Sequence, residues 1–514
     1  MKIRTFAAID VGSYELGIKI FEFSGKDSIR EIDHVTRRLD LGADTFAMGK
    51  ISNEKMDELC RTLKDFAEIM RTYRVEDYKA YGTSAIRETE NSTIVQDQIA
   101  QRTGIQVDIL SNSEQRFLDY KSVASKGESF RKVIEEKTAI LDIGGGSIQV
   151  SLFENDKLVS TQNLRLGVLR IQDYLTRFSA KQFQTESLIR EIAMARLDTY
   201  GKLYLKDVQI KNLIIIDDYI SPWAVRRRWK NGGKAFLEAE DFNAFYELLQ
   251  TKSPEWIAAS MEIAEEKYPL VFISAVLIQC IGELMGARRI WVPGVTLCDG
   301  IAYEYAEKMK MFQGEHDFEE DIIASAFNIS KRYMGSRKRS EALENITMAI
   351  FDSMKKMHGL GKRERLYLRL AAILHDCGKY ISLVNTGEAS FQIIMSTEII
   401  GLSHQEREIV ANVVRFNHSR FVYDVQRVGT QSLDRDAFLT VAKLTAILRL
   451  ATGLDRSHRQ KLKGLKASCR DSQLVITVDT QEDITLEKGF VKGNGEFFKE
   501  VFSVEPVLKQ RKVF

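Results

Sequence analysis

The sequence predicts an α/β protein built on a duplicated domain and followed by a helical half, and three observations carry that reading. The first is a repeat. Ala7-Ala8-Ile9-Asp10-Val11-Gly12-Ser13 precedes Leu16-Gly17-Ile18-Lys19-Ile20-Phe21, and Ala139-Ile140-Leu141-Asp142-Ile143-Gly144-Gly145-Gly146-Ser147 precedes Gln149-Val150-Ser151-Leu152-Phe153. Each copy is an apolar strand, an Asp-x-Gly turn and an alternating strand. The second is the alternation of strand-like and helix-like segments through the first three hundred residues, which implies layers of both kinds. The third is the loss of strand signals from about residue 317 to 460, where amphipathic helical spacing takes over.

In chain order, residues 3–24 read as a strand pair, and Met56, Leu59, Leu63, Phe66 and Met70 follow helical spacing. A strand-like segment leads to Gly82, residues 105–111 alternate like another strand, and 113–125 read as a helix. The second repeat opens near residue 136. Leu213-Ile214-Ile215-Ile216 and Arg289-Ile290-Trp291-Val292 read as strands, and Leu270–Ile281 as a buried helix. An acidic helix start, Glu315–Asp321, marks the entry to the helical half. The tail returns to strands at Gln473-Leu474-Val475-Ile476-Thr477-Val478. The expected domains are 1–130, 131–312, 313–462 and 463–514, since 514 residues exceed what one core holds.

Composition narrows the function classes. A net charge of +2 points to neither nucleic acid nor an anionic membrane surface, so no specific nucleic-acid partner and no membrane are expected. The apolar run Leu270–Ile281 carries Ser274 and Gln279 and is too short to span a bilayer. Five scattered cysteines without a CxxC pair fit a reduced compartment, so a cytoplasmic location is expected.

A tight turn rich in Gly and Ser offers backbone N–H groups and a hydroxyl to an anion, while its Asp can hold a cation or a water. Two such turns, at Asp10 and Asp142, favour a cleft that grips one phosphate chain from both sides over two unrelated hairpins.

These motifs resemble the exopolyphosphatase and guanosine pentaphosphate phosphatase (Ppx/GppA) family, of the actin, sugar-kinase and chaperone (ribonuclease H-like) fold class. The resemblance rests on Asp10-x-Gly12-Ser13, on Gly82-Thr83-Ser84-Ala85-Ile86-Arg87 with Asn91, and on Asp142-Ile143-Gly144-Gly145-Gly146-Ser147. It continues in Leu166-Gly167-Val168-Leu169-Arg170 and in Leu454-Asp455-Arg456-Ser457-His458-Arg459-Gln460. It implies two actin-like phosphate-binding domains, an all-α HD-like domain and a small α+β C-terminal domain. It also implies removal of the terminal phosphate of polyphosphate or guanosine pentaphosphate with Mg²⁺. The phosphate-binding residues would be Asp10, Gly12, Ser13, Arg87, Asp142, Gly144, Gly145, Gly146 and Ser147, with Asp10 and Asp142 also serving the metal. A homodimer is compatible with this reading.

Departures from the family pattern bear on activity. The catalytic Glu of the family falls at Gln115, in Glu114-Gln115, and a second family Glu falls at Gln149. An amide keeps the shape of a carboxylate but cannot take a proton at neutral pH and serves Mg²⁺ less well. Gln115, Gln149 and the neighbouring Glu114 are therefore the candidate catalytic positions, with Glu15 as another replacement acid. A Gly-Gly-Thr loop is replaced by Asp217-Asp218-Tyr219-Ile220, whose two acids would repel phosphate, and a later loop, Val295–Gly300, lacks its Arg.

In the helical half His375-Asp376 resembles an HD core, but its other ligand positions fall at Glu341 and Thr452, so no metal is expected there. Asp455 is the residue left to complete a site. Arg226-Arg227-Arg228-Trp229-Lys230 reads as a solvated face before an anion patch, and Lys331-Arg332 with Arg337-Lys338-Arg339 reads equally as a channel lining or a surface face. Two functions compete: a phosphohydrolase with weak turnover, and a non-hydrolysing polyphosphate- or nucleotide-binding regulatory protein. A ligand-free scaffold would leave the Gly144–Gly146 run without a reason.

Overall fold

The first hairpin is apolar on both faces, and that composition fixes it in the middle of a sheet. β1 (Arg4–Val11) pairs antiparallel with β2 (Glu15–Phe23), with Asp10 opposite Gly17. Ala7, Ile9, Val11, Leu16, Ile18 and Ile20 feed one core, while Phe6, Ala8, Phe21 and Phe23 feed another. The structure is a computed structural model. It describes every residue except 1, 2, 25–28, 180, 182, 183, 207, 222, 225–235, 312, 313, 315, 425–432, 471 and 512–514. Residues 226–230, the basic segment noted above, lie outside the described residues.

Two sheets share one topology. The first has the order β3-β2-β1-β4-β5, adding β3 (Ile29–Arg38), β4 (Asp77–Gly82) and β5 (Asp108–Ile109). The second contains β6 (Thr138–Ile143), β7 (Ile148–Glu154), β8 (Lys157–Leu164), β9 (Asn212–Asp217), β10 (Phe236–Glu238) and β11 (Arg289–Trp291) in the order β10-β11-β9-β6-β7-β8. In each sheet a three-strand antiparallel meander is followed by two parallel neighbours, β4 and β5 or β9 and β11. The second adds β10 at its edge. The sequence repeat is thus a structural repeat, and Asp10 and Asp142 occupy equivalent ends of β1 and β6.

The expected strand over 105–111 is short: only Asp108–Ile109 pair, while Ile105 and Val107 pack into the core from irregular chain. β3 was not legible as a strand, because its sequence IREIDHVTRR is polar and it forms the edge of the sheet. The helix Tyr268–Met285 buries Leu270, Val271, Ile273 and most of its remaining length. Glu265–Met285 and Arg435–Leu454 are long and apolar enough to cross a membrane, and most of each apolar window lies inside the protein.

The chain forms two compact units, Met1–Phe318 and Glu319–Phe514. The second is a helical assembly of Arg337–Ser353, Lys362–Leu374, Thr386–Ser396, His404–His418 and Arg435–Leu454. It also contains a three-stranded sheet, β12 (Lys463–Arg470), β13 (Gln473–Asp479) and β14 (Glu505–Arg511), in which β13 lies central and the helix Thr485–Phe502 links it to β14.

Candidate active-site cleft

The two Asp-x-Gly turns meet in the first unit. A Cβ on Gly145 would stand 3.1 Å from that of Ser13 and 2.8 Å from Leu169 Cδ1, so a side chain at 145 would push the turns apart. Ser13 Oγ and Ser84 Oγ are 2.7 Å apart, which joins the first turn to the segment after β4. Leu166-Gly167-Val168-Leu169-Arg170 supports the glycine run from below. A Cβ on Gly167 would collide with Gly145 O at 2.1 Å, and the N–H groups of Val168 and Leu169 donate to the carbonyls of Gly144 and Gly145, each at 3.0 Å. Arg170 Nε donates to Gly146 O at 3.1 Å. None of Gly144, Gly145 and Gly146 adopts a positive φ. The glycines serve close approach, and close packing is a reason for them in its own right.

Between the turns lies a cleft lined by Asp10, Gly12, Ser13, Gln115, Asp142, Gly144 and Gly145, all named from the sequence. Glu15, Asp119, Asp217, Asp218, Lys267 and Cys298 line it too. Asp119 is a residue that sequence reasoning missed. It sits four residues after Gln115 in the helix Asn112–Ala124, and that spacing puts both on one face. The helix is held in place at its start and its middle. Ser111 and Glu114 form a capping box at its start (3.2 and 3.0 Å). Farther along, Gly300 lets the helix Leu297–Lys308 approach so closely that a Cβ there would lie 2.0 Å from Leu118 O.

Several predicted positions stand elsewhere. Glu114 spends its carboxylate on the cap, pointing back along the helix, and does not line the cleft. Gln149 is 2% exposed, and its amide oxygen accepts from Arg116 Nε at 3.0 Å. Arg116, itself buried, also bonds Thr161. Gly146 and Ser147 are buried and are not among the residues that line the cleft. Arg87 stands one layer back, its guanidinium donating to Leu110 O (2.8 Å) and Gln115 Oε1 (3.2 Å). It therefore orients Gln115, whose Nε2 lies 3.5 Å from Asp142 Oδ2. Glu15 pairs with Lys267 at 3.0 Å, at the edge of the cleft.

The cleft is strongly acidic. Burial, reinforced by Asp218, Asp142 and Glu15, holds the Asp10 carboxyl well above the usual carboxylate range. Burial likewise raises Asp119, and the adjacent Asp142 carboxylate adds to the rise. Asp218 opens to the cleft yet is enclosed by protein, and it is pushed up to about 7, with Glu15 and Asp217 contributing. Asp217 differs from its neighbour. Its carboxylate accepts from Tyr219 N (2.5 Å), Ile220 N (2.6 Å) and Ser274 Oγ, so it organises its own turn, and Asp218 is the acid of the pair left to act on a ligand. Buried oxygens of Asp10 (Oδ1) and Asp119 (Oδ2) have no hydrogen-bond partner. Lys267 is the one permanent cation among the described lining residues. A cation would favour entry of a phosphate chain into such a cleft.

In the second unit Asp376 is ringed by basic groups: Arg339, Lys379 Nζ (2.8 Å) and His375 Nε2 (3.2 Å). Arg339 takes the place beside Asp376 where alignment put Glu341, which instead pairs with Arg337 at 2.8 Å on the surface. These contacts account for two members of the basic cluster at 337–339. Thr452 bonds Asn417 at 3.1 Å. Asp455 Oδ1 accepts from Gln460 N at 3.2 Å. Among the described residues no three His, Cys, Asp or Glu side chains converge as a preformed metal centre.

Comparison with known proteins gives a consistent result. The model of the Ppx/GppA phosphatase family matches residues 22–278, and that of Ppx/GppA phosphatase, domain III, matches residues 323–494. A guanosine-5'-triphosphate,3'-diphosphate pyrophosphatase of Photobacterium profundum is 24% identical over 495 residues, covering 92% of this chain and 91% of the relative. Exopolyphosphatase 1 of Mycobacterium tuberculosis is 27% identical over 164 residues, 32% of this chain and 46% of the relative. The crystal structure of an exopolyphosphatase from Cytophaga hutchinsonii superposes with a TM-score of 0.53 at 21% identity, over 60% of this chain and all of that one, a likeness of fold.

Proposed function

The chain belongs to the Ppx/GppA phosphatase family, and from that premise we propose that it is a phosphohydrolase with slow turnover, acting on polyphosphate or guanosine pentaphosphate. The observation that carries the proposal is the meeting of the Asp10 and Asp142 turns in one cleft lined by Ser13, Gly144 and Gly145. In this reading the phosphate chain lies against the two turns and its terminal phosphorus faces Gln115. A water held by the Gln115 amide forms the new P–O bond as the bridging bond breaks, which frees phosphate and leaves a chain one unit shorter. Arg87 orients that amide. An amide cannot accept the water's proton, which passes instead to a phosphate oxygen, and loss of a general base costs about 10²–10⁴ in rate.

The residues fit a hard divalent cation. Mg²⁺ asks for one or two carboxylates, with water and substrate phosphate completing its shell, and Asp10 and Asp142 supply oxygen donors of that kind. When bound, such an ion neutralises charge on the phosphate oxygens. The same amides favour a second reading, a protein that binds these ligands without cleaving them: Gln115 brings no base to the cleft, and Gln149 is locked to Arg116.

The test is phosphate release from polyphosphate and from guanosine pentaphosphate with Mg²⁺, run beside calorimetric binding of both. Slow release that requires Mg²⁺ supports the first reading. Tight binding without release supports the second, and neither binding nor release rejects both.

A further inference from the structure

The cleft contains a carboxylate that the motif pattern does not supply, and its placement gives it a role. We propose that Asp119 furnishes, from one helical turn beyond Gln115, the carboxyl oxygen that this position lacks, and that with Asp10 it holds a divalent cation in the cleft. This deepens the phosphohydrolase reading and rests on it only for the fate of the phosphate.

Three observations converge. Gln115 and Asp119 are four residues apart on a helix fixed by the Ser111–Glu114 cap and by the close crossing at Gly300, so both side chains are aimed into the cleft by rigid backbone. Asp119 is 4% exposed, yet its Oδ2 has no hydrogen-bond partner, as has Oδ1 of Asp10 on the facing turn. A buried carboxylate oxygen left unpartnered costs stability unless a ligand completes it. Two such oxygens in one acidic cleft call for a cation. Finally, the neutral positions are occupied otherwise. Gln149 is taken by Arg116, and Gln115 by Arg87 and Asp142, so neither amide competes for the ion. Magnesium binds by few carboxylates and keeps its remaining positions for water and phosphate oxygen, which matches two donors without a closed cage.

The intact chain decides the matter through Mg²⁺ binding followed by calorimetry without substrate. Asp119→Asn preserves shape while removing the carboxyl group, and it is expected to weaken Mg²⁺ binding at least tenfold. An Asp119→Asn protein that melts like the parent and binds Mg²⁺ equally well overturns the proposal. Crystals of the unaltered protein soaked in Mn²⁺ give an answer independent of the variant's folding. An anomalous peak against an Asp119 oxygen, directly or through one water, supports it, whereas a peak elsewhere, or none, overturns it. If Asp119 governs cation binding but no phosphate is released from polyphosphate, the hydrolytic reading fails and the cation site stands.

Discussion

Replacing a carboxylate by its amide changes proton affinity and charge while keeping shape, and the surroundings of Gln115 and Gln149 show what each replacement costs. Gln115 is already gripped by Arg87 at 3.2 Å, and Gln149 by Arg116 at 3.0 Å. Each arginine would become the counter-ion of a carboxylate placed there. The double variant Gln115→Glu, Gln149→Glu is therefore expected to fold and to release phosphate at least tenfold faster than the parent, because it regains a base beside a guanidinium. Steady-state phosphate release checks this, and an unchanged rate in a folded double variant contradicts it. The turn residues were legible one by one, since Asp, Gly and Ser in that order serve a definite chemistry. Asp119 was not, because it belongs to none of the motifs and its place in the cleft comes only from its helical spacing. Helical spacing alone, four residues on from Gln115, would have found it. Glu114 misled for a local reason: three residues after Ser111 it suits a capping box, and capping won.

At the scale of elements, the helix Asn112–Ala124 is placed by a contact that no motif announces. Gly300→Ala puts a methyl 2.0 Å from Leu118 O, on backbone that cannot give way without moving the helix. We expect a loss of about 1–3 kcal/mol of stability, with weaker Mg²⁺ and phosphate binding as Gln115 and Asp119 shift. Thermal unfolding and calorimetry read both effects, and a variant indistinguishable from the parent contradicts this account of the helix. In the second unit, His358 is buried with Nε2 donating to Phe351 O and Nδ1 accepting from Leu360 N, each at 2.9 Å. Burial lowers its pKa below the ordinary 6.5. A histidine lowered on folding contributes stability that is present above its unfolded value and is lost as pH falls below it. Protection of Lys362–Leu374 against hydrogen exchange, taken relative to the intrinsic rate at each pH, is thus expected to fall between pH 7 and 5, and His358→Gln should flatten that dependence. An unchanged pH dependence in the variant rejects this role. The long helices were readable from periodicity. β5 was overread because its apolar residues pack without pairing, and β3 was missed because an edge strand carries little apolar signal.

For the whole molecule, the duplication was legible because both copies keep the strand–turn–strand pattern, and the two sheets repeat one topology around β1 and β6. The crowd of acids between them was only partly legible, since Asp119 and Asp218 come from segments far apart in sequence and meet only through the fold. The central claim is that the Asp10 and Asp142 turns form one phosphate site that takes its anion with a cation. Crystals soaked in Mg²⁺ and tripolyphosphate test it most directly. The account predicts a phosphate group within hydrogen-bonding distance of the Gly144–Gly145 turn and the Ser13 region, with density for a cation on the Asp10 side. A cleft empty of phosphate at saturating ligand, or tripolyphosphate bound outside it, would contradict the account.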